Sequence, residues 1–365
     1  MEIMIYLDYA ATSPMSEGAI SSYVDVAQRY YGNSASLHDV GGQAKFYVEQ
    51  ARNVIASKLN VSTDGIAFTG SGTEGNILAI LSLATASKKG KHIITTHAEH
   101  TSVHAAMNTL ERAGYTVTKL NLQPNGEICL QQLNEAIRPD TALISIQHVN
   151  SEIGVIQPVE AIVKMAKATG ILFHVDCVQS FCKLPVDHFA SEVDAITVSA
   201  HKIGGPKGCG AVYINPKLNV SPLTPGVTHE RGLRGGTVDT PAVVSFAVAV
   251  ESYTYDEAHY KVLRETLVRN LPNNYKFVAC DHQLPTICGF FSEKYEGQYV
   301  LLKLNEVGIC ISTGSACDIH SESGTKAVMA MGYSIEEARK FFRISFGSQT
   351  TSEEISILAS ALKGI

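Results

Sequence analysis

The sequence predicts an α/β protein, with one large unit on a mostly parallel sheet flanked by helices and a smaller α+β unit after it. Three observations carry that prediction. Strand-like and helix-like segments alternate through the first two-thirds of the chain, which is the signature of a parallel sheet with crossover helices. A stretch rich in Pro, Gly and Thr, residues 215–241, then interrupts the alternation and reads as loop. Beyond it a long helical pattern gives way to short strands. A length of 365 residues suits two domains at roughly 100–200 residues each. We place the boundary near residue 250, giving a large domain over 1–250 and a small one over 251–365, with the N-terminal segment allowed to pack on the small one.

The elements follow in order. Residues 65–69 form a short apolar strand, and a glycine-rich turn leads into a helix over 76–87. A strand over 92–96, a helix over 101–113 and a strand over 116–122 come next. The runs 141–146 and 171–176 are mainly apolar, as strands buried on both faces are. A helix over 159–169 lies between them. Strands over 195–199 and 211–214 complete the set. Helical patterns return over 242–271, and a last helix is expected near 336–342.

Composition narrows the function classes. Hydrophobic residues make up 45% and charged residues 18%, and the net charge is −6. A mildly acidic chain has no general pull toward nucleic acid or anionic membrane. No apolar run approaches the length of a membrane span, and the first residues lack the basic and apolar regions of a secretory signal. The expected location is the cytoplasm. Eight cysteines lie scattered with no C-x-x-C pair, so most are expected to be buried thiols.

Five constellations could carry chemistry. Gly70-Ser71-Gly72-Thr73-Glu74-Gly75 follows a strand and opens a helix, where backbone N–H groups and the helix dipole suit a phosphate. It also fits the G-x-G-x-x-G dinucleotide pattern, but the acidic residue expected at the end of the next strand is missing unless Glu99 serves. In Ala98-Glu99-His100-Thr101-Ser102-Val103-His104 the two histidines stand one turn apart. They could share a metal, but no third ligand stands out, and one functional His or a cap is the simpler reading. Asp176 ends an apolar strand, where a carboxylate needs a partner such as a pyridinium N–H, or else caps the next helix. Lys202 ends another apolar strand before Gly204-Gly205-Pro206. Partial desolvation there would free its amine for a Schiff base, and a solvated surface charge is the alternative. Cys317 follows the small residues Gly314-Ser315-Ala316, as in an accessible loop where a thiolate can react. It is otherwise an incidental thiol, with His320 nearby.

Taken together, the segments resemble the group I cysteine desulfurases, in the class V aminotransferase family of fold-type I pyridoxal-phosphate enzymes. The likeness begins at Tyr6-Leu7-Asp8-Tyr9-Ala10-Ala11-Thr12 and Tyr31-Gly32-Asn33-Ser34-Ala35-Ser36. It continues through Glu99-His100, Val149-Asn150-Ser151-Glu152-Ile153-Gly154 and Ser199-Ala200-His201-Lys202. It closes with Arg231-Gly232-Leu233-Arg234-Gly235-Gly236-Thr237, Gly314-Ser315-Ala316-Cys317 and Arg343-Ile344-Ser345. Each motif alone is weak, and their joint order is specific.

The resemblance implies roles by position. Lys202 would carry pyridoxal 5'-phosphate, Asp176 would pair with its ring nitrogen, and Gln179 would bond its hydroxyl. Asn150 and Ser151 would also contact the cofactor. His100 would stack on the ring and move protons. Gly72, Thr73, Ser199 and His201 would hold the phosphate, and Thr237 would reach the phosphate of a partner subunit, which implies a homodimer. Arg343, forking onto the carboxylate, and Asn33 would take the substrate L-cysteine. Cys317 would be the nucleophile, hold the sulfur as a persulfide and pass it to an acceptor protein, as in iron–sulfur cluster biosynthesis. No metal is implied. A selenocysteine lyase, an aminotransferase on the same fold and a non-catalytic sulfur carrier are the competing readings; Cys317 argues against the aminotransferase, which needs no thiol, and Lys202 together with Cys317 argues against the carrier. The chain departs from the family at Ser151, where a second asparagine is usual, and at Asp318-Ile319-His320, where small residues are commoner.

Overall fold

A computed structural model describes residues 4–313 and 325–365. The chain opens with β1 (Ile5–Tyr6), α1 (Glu17–Arg29), α2 (Asp39–Leu59), β2 (Ile66–Thr69) and α3 (Gly72–Ala86). Then come β3 (His92–Thr96), α4 (Thr101–Arg112), β4 (Thr116–Leu120), α5 (Leu130–Ala136), β5 (Thr141–Gln147), α6 (Val159–Thr169), β6 (Leu172–Asp176), α7 (Asp187–Ala190), β7 (Ala195–Ser199) and β8 (Gly210–Ile214). The last part holds α8 (Thr240–Ser252), α9 (Glu257–Asn270), β9 (Tyr275–Phe277), β10 (Ile287–Ser292), α10 (Gly297–Glu306), β11 (Ile309–Cys310), α11 (Lys326–Ala330), α12 (Ile335–Arg339), β12 (Phe341–Ser345) and α13 (Ser352–Lys363).

The large sheet has seven strands in the order β2-β8-β7-β6-β5-β3-β4. All run parallel except β8, which is antiparallel to both neighbours. The central strands are buried along their whole length because both sheet faces are covered. On one face Ile55 and Leu59 of α2, Ile162 of α6 and Phe246 of α8 close over Phe173, Val175 and Ile196. On the other, Leu78, Ile80 and Leu83 of α3 and Val103, Met107 and Leu110 of α4 pack on Ile93 and Leu143. α3 lies in this layer with buried residues all round it, which is why its sequence is apolar on every side.

A three-stranded antiparallel sheet, β12-β10-β9, packs with α9, α10 and α13 around Phe290, Phe342 and Ile344. The N-terminal segment joins this smaller unit. β1 pairs in parallel with β11, and Asp8 bridges to Ser345 at the end of β12.

Three expectations are adjusted. The helix expected from residue 76 starts at Gly72, capped by the Ser71 hydroxyl accepting from Glu74 N–H at 3.1 Å. The helical pattern over 242–271 is two helices, separated at residues 253–256. The helix expected over 336–342 ends at Arg339, and Phe341-Phe342 enter β12, where they are buried among the aromatics of the small sheet.

Candidate active site

The parallel strands end on one side of the sheet, and the loops that leave β2, β3, β5, β6 and β7 converge there. Ligands of open α/β sheets bind in this crevice outside the carboxyl ends of the strands. Here it is a cavity of about 190 Å³ lined by Gly72, Thr73, Asn76, His100, Ser151, Asp176, Gln179, Ser199, His201 and Lys202, with Arg343 entering from β12 and Ala10 and Ala11 from the N-terminal segment.

The turn after β2 delivers the N-terminus of α3, whose first N–H groups have no helical acceptor. The glycine at its first position is required. A Cβ on Gly72 would stand 2.9 Å from a Val178 methyl and 3.3 Å from Ser199 Cβ. Opposite lies Ser199 at the end of β7, its buried Oγ without a partner among the described residues. Donors, a dipole and an unpartnered hydroxyl together suit an anion.

Asp176 ends β6 and is 6% exposed. Its Oδ1 accepts from Val178 N–H at 2.9 Å, and its Oδ2 accepts from Asn76 Nδ2 at 2.7 Å. Asn76 also donates to Ser102 Oγ at 2.9 Å, and Ser102 Oγ lies 2.7 Å from His100 Nδ1. His100 Nδ1 further accepts from Ser102 N–H at 3.1 Å as the cap of α4. With Nδ1 acting as acceptor, the proton of a neutral His100 sits on Nε2. A continuous polar chain thus runs from the strand-end carboxylate to the histidine.

Lys202 follows β7 in a single 3₁₀ turn, and its Nζ donates to the carbonyls of Ala10 and Ala11 at 2.5 and 2.7 Å. Gln179 Nε2 donates to the same Ala10 carbonyl at 2.9 Å, which leaves its Oε1 without a partner. His201 meets Thr12 Oγ1 at 3.1 Å. Burial, reinforced by the Lys202 charge, pushes its pKa down to about 3, so it is neutral. Arg343 is 2% exposed. Its Nη2 donates to Asp8 Oδ1 at 2.6 Å and its Nη1 to the Ser151 carbonyl at 2.8 Å, while Nε finds no acceptor among the described residues.

Other sequence candidates fall elsewhere. Asn150 is spent on the turn after β5, where its Oδ1 accepts from the N–H of Glu152 and Ile153 at 2.8 and 2.9 Å and its Nδ2 donates to Ala98. Ser151 lines the cavity instead. Asn33 is exposed and caps its own loop through Ala35 N–H, and Thr237 is exposed away from its own chain's cavity. His104 turns from His100 to the His97 carbonyl, so the two rings do not address one point. Glu99 does not reach the cavity. Its carboxyl is buried, accepts from Thr96 Oγ1 at 2.8 Å and Gln147 N–H at 3.0 Å, and is pushed by burial up to about 8, so it stays protonated near neutrality. With Glu99 turned inward, the dinucleotide reading of the glycine loop has no carboxylate for a ribose. Cys317 and His320 lie outside the described residues. Sequence reasoning missed Asn76, Ser102 and the backbone of Ala10 and Ala11. Asn76 sits one turn into a helix that begins at the phosphate-like loop, which is the one signal that pointed to it.

The model of the aminotransferase class-V family matches residues 5–358. The chain is 43% identical to a putative cysteine desulfurase NifS of Bacillus subtilis, over 97% of this chain and 93% of that one. It is 38% identical to a cysteine desulfurase IscS of Neisseria meningitidis serogroup C, over 98% and 91%. Among solved structures, a NifS-like protein superposes with a TM-score of 0.91 at 31% identity, covering 99% of both chains. SspA in complex with cysteine superposes with a TM-score of 0.82 at 36% identity, covering 94% of this chain and 98% of that one.

Proposed function

The chain belongs to the class-V aminotransferase family, and on that premise we propose that it is a pyridoxal-phosphate-dependent cysteine desulfurase, converting L-cysteine to L-alanine and leaving the sulfur as a persulfide on Cys317. The observation that carries the reading is the meeting, in one cavity, of a strand-end carboxylate, a lysine, an arginine and a helix N-terminus, in a chain 43% identical over its length to a protein named for this activity.

The residues fit the cofactor. Ser199 Oγ, Gln179 Oε1, Asn76 Oδ1 and Arg343 Nε are buried polar atoms without partners among the described residues, and all belong to side chains that line this cavity. Such atoms are costly unless a ligand supplies the missing bonds. Gly72, Thr73, Ser199 and His201 would hold the phosphate, Gln179 the ring hydroxyl and Asp176 the ring nitrogen. When bound, pyridoxal phosphate supplies an electron sink for the pair left at the substrate α-carbon.

The remaining chemistry belongs to the chain. Asp176, fixed by Asn76 and Val178, would face the ring nitrogen and hold a proton there. Arg343 orients the substrate by its carboxylate. Lys202 is the amine that holds the cofactor and then moves the α-proton, and His100, with its proton on Nε2, faces the same space. The Cys317 thiolate attacks the substrate sulfur, so that one S–S bond forms as the C–S bond breaks, and alanine leaves after protonation. Five of the other seven thiols are poor competitors. Burial pushes Cys182, Cys209, Cys280 and Cys288 up to about 12, and it raises Cys177 as well.

A homodimer completes the proposal. Thr237 is exposed and away from its own cavity, as a residue serving a partner's site must be. Exposed apolar side chains, among them Ile20, Val24, Tyr31, Leu37 and Phe46, crowd α1, α2 and the segment between them. We also place the division between the two units near residue 250, where α8 ends. The sulfur acceptor is a second protein.

The test is sulfur mapping. Holoenzyme given L-cysteine without reductant should gain one sulfur on the peptide containing Cys317, detected by mass spectrometry. Cys317→Ala should still change the cofactor absorbance with cysteine but release almost no alanine. Sulfur on Cys310, or full activity in the variant, would overturn the assignment.

A further inference from the structure

We propose that Asp8 is an affinity-setting counter-ion for Arg343, which keeps amino-acid carboxylates loosely bound so that product alanine leaves readily; the inference rests on Arg343 being the substrate-carboxylate site of the proposed reaction.

The placement of Asp8 is built into the backbone. Ser345 N–H donates to the Leu7 carbonyl at 2.8 Å, and Asp8 bridges in parallel to Ser345, two residues beyond Arg343 on the same strand. Main-chain pairing therefore sets the carboxylate beside the guanidinium, at 2.6 Å from Nη2. The two partners are buried unequally: the arginine side chain is 2% exposed and the aspartate side chain 18%. A cation at that depth needs a resident anion, and a removed partner leaves it uncompensated.

Asp8 does not close the arginine to a ligand. A guanidinium has five N–H donors, and among the described residues the chain accepts only two, at Asp8 and at Ser151. Three N–H groups remain unaccepted among the described residues and Arg343 lines the cavity, so an incoming carboxylate can be received without displacing Asp8. What it meets is a neutral pair, because repulsion from Asp8 offsets much of the attraction of Arg343. Cysteine and alanine share the same carboxylate, so attraction at this point holds substrate and product alike. Such uniform binding lowers KM without raising kcat.

The experiment compares Asp8→Asn with wild type as holoenzyme, titrated calorimetrically with L-alanine. The amide keeps an acceptor for Nη2 but removes the charge. The Kd for alanine should fall by about tenfold, and KM for cysteine should fall with it. Asp8→Glu, which keeps the charge, should stay near wild type. A merely structural role predicts the opposite sign, with weaker binding in Asp8→Asn. Asp8→Ser is a second neutral variant that admits water to the guanidinium. Unchanged or weaker alanine binding in a folded neutral variant would overturn the proposal. Should neither fold, wild type decides. L-alaninamide should then bind within about tenfold of L-alanine, about 1.4 kcal/mol, and a larger gap would overturn it. Alanine binding is read without turnover, so a failure of the functional reading and a failure of this inference are told apart.

Discussion

Asp176 shows how a single side chain can be legible while its support is not. A carboxylate at the end of a strongly apolar strand must have a partner, and that rule identifies the residue from sequence. Asn76 and Ser102 carry no such mark. Their role appears only when Asn76 meets Asp176 100 residues away and Ser102 26 residues away. Asp8 meets Arg343 across 335 residues. The support also makes a prediction safe to test. In Asp176→Asn the new amide would face the Asn76 donor, but Asn76 can turn its unpartnered Oδ1 toward it, so the fold should hold. The cofactor should remain bound while kcat falls roughly 10²–10³-fold, the scale of one lost electrostatic stabiliser in other enzymes. Spectral titration with kinetics checks both parts, and a near-wild-type kcat would remove Asp176 from the ring nitrogen.

At the scale of elements, the N-terminus of α3 carries the sharpest constraint. Gly72→Ala would drive a methyl toward Val178 and Ser199. The protein should fold with about 1–3 kcal/mol less stability, as overpacked cores do, and its cofactor should be lost on dialysis, because the same methyl displaces the anion-binding turn. Retained cofactor after dialysis, read by absorbance, would mean that this turn does not hold the phosphate. The buried strands were readable because both of their faces are covered, so their apolar runs are unbroken. Element ends were less so. A serine hydroxyl extended α3 four residues upstream, and Phe341-Phe342 fit a helical apolar pattern and a strand equally well until β10 supplied a pairing partner. The reversal of β8 had no local signal, because an antiparallel strand at that place is as apolar as a parallel one.

At the scale of the whole molecule, buried titrating groups set an acid limit. Burial pushes His104 and His148 down to about 4 and His174 and His201 to about 3. Their folded values lie below the unfolded 6.5, so between pH 6.5 and about 4 the unfolded chain takes up protons that the folded one refuses. Stability should fall as pH drops through that window. Glu99 works the other way. It is raised from 4.5 to about 8 by burial, keeps its proton when folded, and costs stability as pH rises from 4.5 to 8. With four histidines against one carboxyl, urea midpoints should rise from pH 4.5 to 6.5 and then level off or decline slightly toward pH 8. Midpoints that stayed flat between 4.5 and 6.5 would contradict the buried, neutral state of these rings.

The closure of the N-terminal segment onto β11 and β12 also bears on the birth of the protein. The segment is made first, but its partners emerge about 335 residues later, which at ordinary rates of translation is about 15–70 s. Until then the segment lacks its anchor on β12, the Ala10 N–H donating to Ser345 Oγ at 2.9 Å. The large sheet can fold on the ribosome. The cavity gains Arg343 only after β12 has emerged, so cofactor loading should follow that step.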